Sequence, residues 1–155
     1  MNGRYVAFDV GGTRYCLPIA EVRQIVRHEN LTEVPQAPGF VEGVINLRGE
    51  VIPVINMRER LRATGGEEPR KSRVIIVTVG DRLYGLHVDD VREIVDVPED
   101  SLTTGGLDVL DPSSPYVRGI ARVGEQLLIV INLGALLAGS RVSGAASAGS
   151  ARREE

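Results

Sequence analysis

Tryptophan is absent from this chain, cysteine occurs once, histidine twice, and only 4% of residues are aromatic. Each shortage removes a class of protein. A lone cysteine, Cys16, builds neither a disulfide framework nor a cysteine-based metal site, and it reads most simply as a small buried apolar residue. Few aromatics and a formal charge of -3 leave no basic groove lined with stacking platforms, which argues against a nucleic-acid binder. No apolar run is long enough to span a bilayer, so direct membrane insertion is not expected. The opening MNGRYVAFDV lacks the apolar core of a secretory leader, and a cytoplasmic location is expected.

What the chain does have is aliphatic bulk. Its 155 residues are 43% hydrophobic and 25% charged, an ordinary globular composition for one domain, or for two very small ones sharing a core. With so few aromatics the core must be Val, Ile and Leu, and the many β-branched residues favour strands. A β-rich fold is predicted.

The sequence repeats itself. VGGTRYCLPIAEVRQIV (10–26) aligns without a gap on VGDRLYGLHVDDVREIV (79–95), with Val10/Val79, Gly11/Gly80, Tyr15/Tyr84, Leu17/Leu86, Val22/Val91 and Ile25/Ile94 among the identities. FVEGVINLRGEVIPVINMRERL (40–61) aligns in the same way on YVRGIARVGEQLLIVINLGALL (116–137), matching Gly43/Gly119, Val54/Val130 and Asn56/Asn132. Two matched segments in the same order mark an internal duplication, and two copies are too few for a solenoid. The expected layout is one domain over 4–137 made of half-domains at about 4–61 and 73–137. A charged linker at 62–72 joins them, and a disordered tail over 138–155 follows the second.

Each copy gives the same coarse reading. A strand (Tyr5–Val10; Val74–Val79) turns at Gly11-Gly12-Thr13 or Gly80-Asp81-Arg82 into a second (Tyr15–Leu17; Tyr84–His87). Apolar residues at helical spacing then predict short amphipathic helices over Ala20–Val26 and Asp89–Val95. Two more strands follow, Val41–Leu47 with Val51–Asn56 and Val117–Val123 with Leu127–Asn132, before a closing helical turn at Met57–Leu61 or Leu133–Leu137. Proline donates nothing to a ladder, so Pro53 predicts an edge or bulge at that point of its strand.

Catalytic chemistry is hard to assemble from these residues. His28 and His87 have no second histidine or cysteine at ligand spacing and read as ordinary surface or hairpin residues, so no metal site and no cofactor are expected. Asp89 and Asp90 are neighbours whose side chains point apart, one of them an expected helix cap. No nucleophile, base and orienting group fall together. The unusual feature is the corner Asn46-Leu47-Arg48-Gly49-Glu50 between two apolar strands. Its twin, Arg122-Val123-Gly124-Glu125-Gln126, has Gly124 where Arg48 stands, so the fold itself does not require that arginine. An arginine combines a rigid donor fork with an apolar stem and suits a protein interface.

The string GVINLRGEVIPVINMRERL (43–61), preceded by IAEVRQIV and followed by VDDVREIV, resembles the CheW-type chemotaxis coupling proteins from Tyr5 to about Leu137. The resemblance implies two intertwined five-stranded SH3-like barrels and no catalytic activity. It implies an adaptor between the cytoplasmic tips of chemoreceptors and the regulatory domain of a CheA-type histidine kinase. It places partner contacts at Val22, Gln24, Gly43, Asn46, Arg48 and Val74. Gln24 stands where the family commonly has Glu, and Asn56-Met57 replaces the usual Asp-Leu. The alternatives are a coupling protein of a non-motility chemosensory-like pathway and, more remotely, a small-barrel nucleic-acid module.

Overall fold

The computed structural model describes residues 2–28, 31–35, 40–63, 72–98, 101–103 and 116–138. Strands β1 (Asn2–Val10) and β2 (Thr13–Pro18) form a hairpin whose two turn residues, Gly11 and Gly12, take φ of 60° and 83°. Such angles are cheap only for glycine, and the twist they impose matches that of the flanking strands. Strands β6 (Arg73–Val79) and β7 (Arg82–Val88) repeat the design with Gly80 at φ 63°.

Neither hairpin stays with its own copy. β1 pairs with β8 (Asp90–Pro98), and β2 runs parallel to β11 (Gln126–Ile131). Reciprocally, β6 pairs with β3 (Val22–Arg27), and β7 runs parallel to β5 (Glu50–Asn56). β5 pairs in turn with β4 (Val41–Leu47), while β11 pairs with β10 (Val117–Val123), which carries the two-residue β9 (Leu102–Thr103). The sheets therefore run β3-β6-β7-β5-β4 and β8-β1-β2-β11-β10-β9. These are the two intertwined SH3-like barrels that the resemblance implies, with β9 as an added strand.

The predicted helices over Ala20–Val26 and Asp89–Val95 are not helices. Only Ile19–Glu21 makes a single 3₁₀ turn, and the rest is strand, in β3 and β8. Val22, Ile25 and Val26 fit helical spacing, but β3 alternates half-buried and exposed residues with period two and leaves Ile25 41% exposed. β-branched residues favour extended backbone, and pairing with β6 and β1 satisfies it. The closing turns are helical as predicted: α1 (Met57–Arg60) and α2 (Leu133–Ala138). Asn56 and Asn132 cap them, their Oδ1 atoms accepting from the Glu59 and Ala135 amides at 3.1 and 3.2 Å.

Pro53 is not in an edge strand, since β5 lies between β7 and β4, and it stands in register opposite Val44 rather than at the β4–β5 register shift. The parallel ladder to β7 begins one residue later, at Val54, so the missing Pro53 donor faces no partner strand there. Residues 64–71 of the predicted linker and 139–155 of the predicted tail lie outside the described residues.

Three apolar clusters hold this arrangement. Ala7, Cys16, Val97, Ala121, Leu128 and Val130 fill one barrel, and Ile45, Ile52, Val54, Val74 and Ile76 fill the other. Between the barrels lies a larger cluster centred on Phe8, Leu17, Ile55, Met57, Ile75, Leu86, Ile131 and Leu136. Residues of both copies line this shared core, so neither half buries its apolar surface alone.

Arg60 bridges the copies beside that core. Its guanidinium lies 4.4 Å from the Phe40 ring centre and 4.6 Å from that of Tyr116, and its Nε donates to the Leu136 carbonyl at 2.8 Å. Phe40 and Tyr116 are repeat partners, so one cation ties equivalent rings of both halves. Arg60→Ala is expected to lower stability by about 2 kcal/mol in urea unfolding, from two cation–π contacts and one hydrogen bond. Arg60→Lys is expected to recover less than half, because an ammonium does not lie flat between two rings.

Candidate partner-binding surface

The corner singled out in the sequence is a two-residue β-turn. β4 and β5 pair as far as Leu47 and Glu50, with Arg48 at φ 53° and Gly49 at φ 87°. Asn46 Oδ1 accepts the Gly49 amide at 3.0 Å and holds the turn. The twin turn between β10 and β11 places Gly124 at φ 63° in the position of Arg48. A side chain at such an angle costs roughly 1 kcal/mol. Arg48 therefore occupies, exposed to solvent, a backbone position suited to glycine and filled by glycine in the other copy.

All six residues named from the sequence fall on the same barrel. Val22 and Gln24 lie half-buried on β3, while Gly43, Asn46 and Arg48 lie on β4 and its turn. Val74 belongs to β6 and is 0% exposed inside that barrel's core, so its side chain reaches no partner in this fold. Gly43 is buried as well. A Cβ built on it would stand 2.4 Å from the Thr32 carbonyl oxygen, so its part is to let the chain pass. The exposed members are Asn46 and Arg48.

The sequence reading missed an exposed apolar set that obeys the duplication. Ile25 and Ile94 are repeat partners, 41% and 57% exposed, and so are Val51 and Leu127, at 66% and 62%. Ile25 and Val51 lie on the barrel that carries Arg48, and Ile94 and Leu127 lie on the other. Each barrel thus presents two large aliphatic side chains to water from equivalent strands. The identity Ile25/Ile94 was the available signal, obscured by assigning both to helices.

Two other polar arrangements differ from expectation. Asp89 caps no helix. Its carboxylate accepts from Arg58 Nε and Nη2 at 2.9 and 2.8 Å and also from the Gly11 amide at 2.9 Å. The clamp joins α1, the β1–β2 turn and the β7–β8 junction. The histidines are not unrelated residues either: the His28 and His87 rings stack at 3.6 Å with 5° between their planes. Cys16 is buried, and burial alone pushes its thiol up to about 12, so it is no nucleophile near neutral pH. No helix among the described residues is long and apolar enough to cross a membrane.

Two intertwined barrels share one core, and each presents large exposed aliphatic side chains, the build of a CheW-like domain. The model of the CheW-like domain matches residues 4–141, and the chain belongs to that family. It is similar to the chemotaxis protein CheW of Klebsiella aerogenes, at 25% identity over 139 residues covering 90% of this chain and 84% of that one. The chemotaxis protein CheW of Bacillus subtilis is 30% identical over 134 residues, 86% of each chain. Among solved structures, the scaffolding protein TtCheW from Thermoanaerobacter tengcongensis superposes with a TM-score of 0.79 at 33% identity. That match covers 88% of this chain and 93% of the other.

Proposed function

We propose that this chain is a non-catalytic coupling adaptor of chemotaxis signalling. One set of surfaces engages the cytoplasmic tip of chemoreceptors, and another engages the regulatory domain of a CheA-type histidine kinase. The observation that carries the reading is Arg48, kept at φ 53° where the twin turn uses glycine at φ 63°. A strained, solvated arginine beside a rigid turn serves contact with another molecule better than it serves the fold. The equivalent exposed pairs Ile25/Ile94 and Val51/Leu127 support two docking faces, one per barrel. Family membership over residues 4–141 supports the same reading.

The mechanism is positional. A small adaptor offers modest individual interfaces, and simultaneous engagement of two partners multiplies their effective concentration. A conformational change at the receptor tip then reaches the kinase through a rigid shared core rather than through chemistry in the adaptor. The test is titration of the full chain with a receptor-tip fragment and with the kinase regulatory domain, first singly and then together. Saturable binding to each, and a ternary complex when both are present, is the expected result. Binding to neither, or mutually exclusive binding, would overturn the bridging role.

A further inference from the structure

His28, Glu42 and His87 come from three separate places and meet at one point. His28 follows the end of β3, and His87 lies in β7, paired with Asn56 of β5 and Val74 of β6. Glu42 is the extra residue of a bulge: the β4–β5 register shifts between Val41 and Gly43, so nothing on β5 opposes it. Bulges re-aim side chains, and this one turns a carboxylate onto both histidines. Glu42 Oε2 lies 2.9 Å from His28 Nε2, and Oε1 lies 2.7 Å from His87 Nδ1. The rings stack face to face.

The fold does not require this group. By the repeat alignment, Val97, Arg118 and Pro18 stand where His28, Glu42 and His87 stand, and the other barrel forms the same bulge, with register shifting between Val117 and Gly119. Only one copy carries the donors.

Their chemistry points to a ligand. Two ring nitrogens and a carboxylate present atoms that all lie within 4.8 Å of one another. Burial works against ionising Glu42, yet the hydrogen bond and charge of His87, with those of His28, outweigh it and hold the carboxyl below its usual range. The three side chains are 24%, 19% and 17% exposed, so a hydrated ion can reach them and retain water. Donors around a tetrahedral ion with bonds near 2.0–2.2 Å sit about 3.3 Å apart. Binding therefore spreads the 2.9 and 2.7 Å Glu42–histidine pairs slightly and requires one ring to tilt out of the face-to-face stack, so that the in-plane nitrogen lone pairs of both meet the ion. Mixed imidazole and carboxylate ligation suits zinc and its transition-metal neighbours, whereas magnesium and calcium take oxygen.

We propose that His28, Glu42 and His87 form a binding site for one divalent transition cation of the zinc class, with the fourth position left to water. The ion replaces the protons shared between Glu42 and the two rings. It ties the end of β3 and the bulge of β4, both from the first copy, to β7 of the second. It therefore clips the two halves together beside Gly43.

The test uses the full chain, stripped of metal, with zinc chloride as the probe in a competition titration against a chromogenic chelator. Wild type is expected to take up one zinc per chain with micromolar or tighter affinity, and His87→Gln and Glu42→Gln to bind at least about tenfold more weakly. Zinc should raise the melting temperature of wild type by several degrees at about a hundredfold excess over Kd and leave that of His87→Gln unchanged. Because the chain has only two histidines, a third readout needs no variant: zinc must shift the ring-proton NMR signals of both together. Equal affinity in wild type and His87→Gln, or histidine signals unmoved by a stoichiometric amount of zinc, would overturn the site.

Discussion

Gly43→Ala is expected to cost about 2–3 kcal/mol in urea unfolding, and Gly43→Asp more than that. The new Cβ would stand 2.4 Å from the Thr32 carbonyl oxygen, 3.0 Å from its carbonyl carbon and 3.2 Å from the Glu33 Cα. All three are backbone atoms, so no side chain can rotate away. The segment is pinned beside β4 by two hydrogen bonds, Thr32 amide to Val44 carbonyl at 2.8 Å and Val44 amide to Thr32 carbonyl at 2.9 Å. Relieving the clash means breaking that bridge, at about 0.5–1.5 kcal/mol per bond, in addition to the cost of overpacking. A loss of binding in this variant would follow from displaced backbone. An alanine variant within 0.5 kcal/mol of wild type would show that the segment at Thr32 moves freely.

Arg48 behaves in the opposite way. Arg48→Ala should change stability by less than about 0.5 kcal/mol, because the side chain is solvated and the turn is held by Asn46 and Gly49. Arg48→Gly should be at least as stable as Arg48→Ala, since glycine accepts φ 53° without the penalty a Cβ brings. Affinity is expected to fall by about 2 kcal/mol, roughly thirtyfold, for one or both partners. Lysine should restore little of it, lacking the planar fork. The measurements are melting curves and titrations of all three variants against the receptor-tip fragment and the kinase regulatory domain. Undiminished affinity for both would reduce Arg48 to a strained turn residue, and a collapse in melting temperature would make it structural.

These two residues show what kind of information a linear reading carries. Gly43 and Arg48 were both found by comparing the copies, Gly43 because its twin Gly119 repeats it and Arg48 because its twin Gly124 does not. Val74 shows the limit, since resemblance named it as a contact and packing places it in the core. The stretch Val22–Arg27 shows another limit. Three apolar residues fit a helical face, and only the partner strand β6 decides that the backbone is extended.

By itself the sequence determined the β-rich class, the duplication, the hairpin turns, the closing helical turns and the unusual arginine. All of these follow from local chemistry: glycine at positive φ, asparagine at a helix start, β-branched residues in strands. Tertiary structure alone decided the exchange of hairpins between copies, the Asp89 clamp, the Arg60 bridge and the meeting of His28, Glu42 and His87. The reason is separation along the chain. His28 and His87 are distant in sequence, and no spacing rule links them. They touch because β6 and β7 of the second copy complete the barrel of the first, and because one extra residue in β4 turns Glu42 toward both.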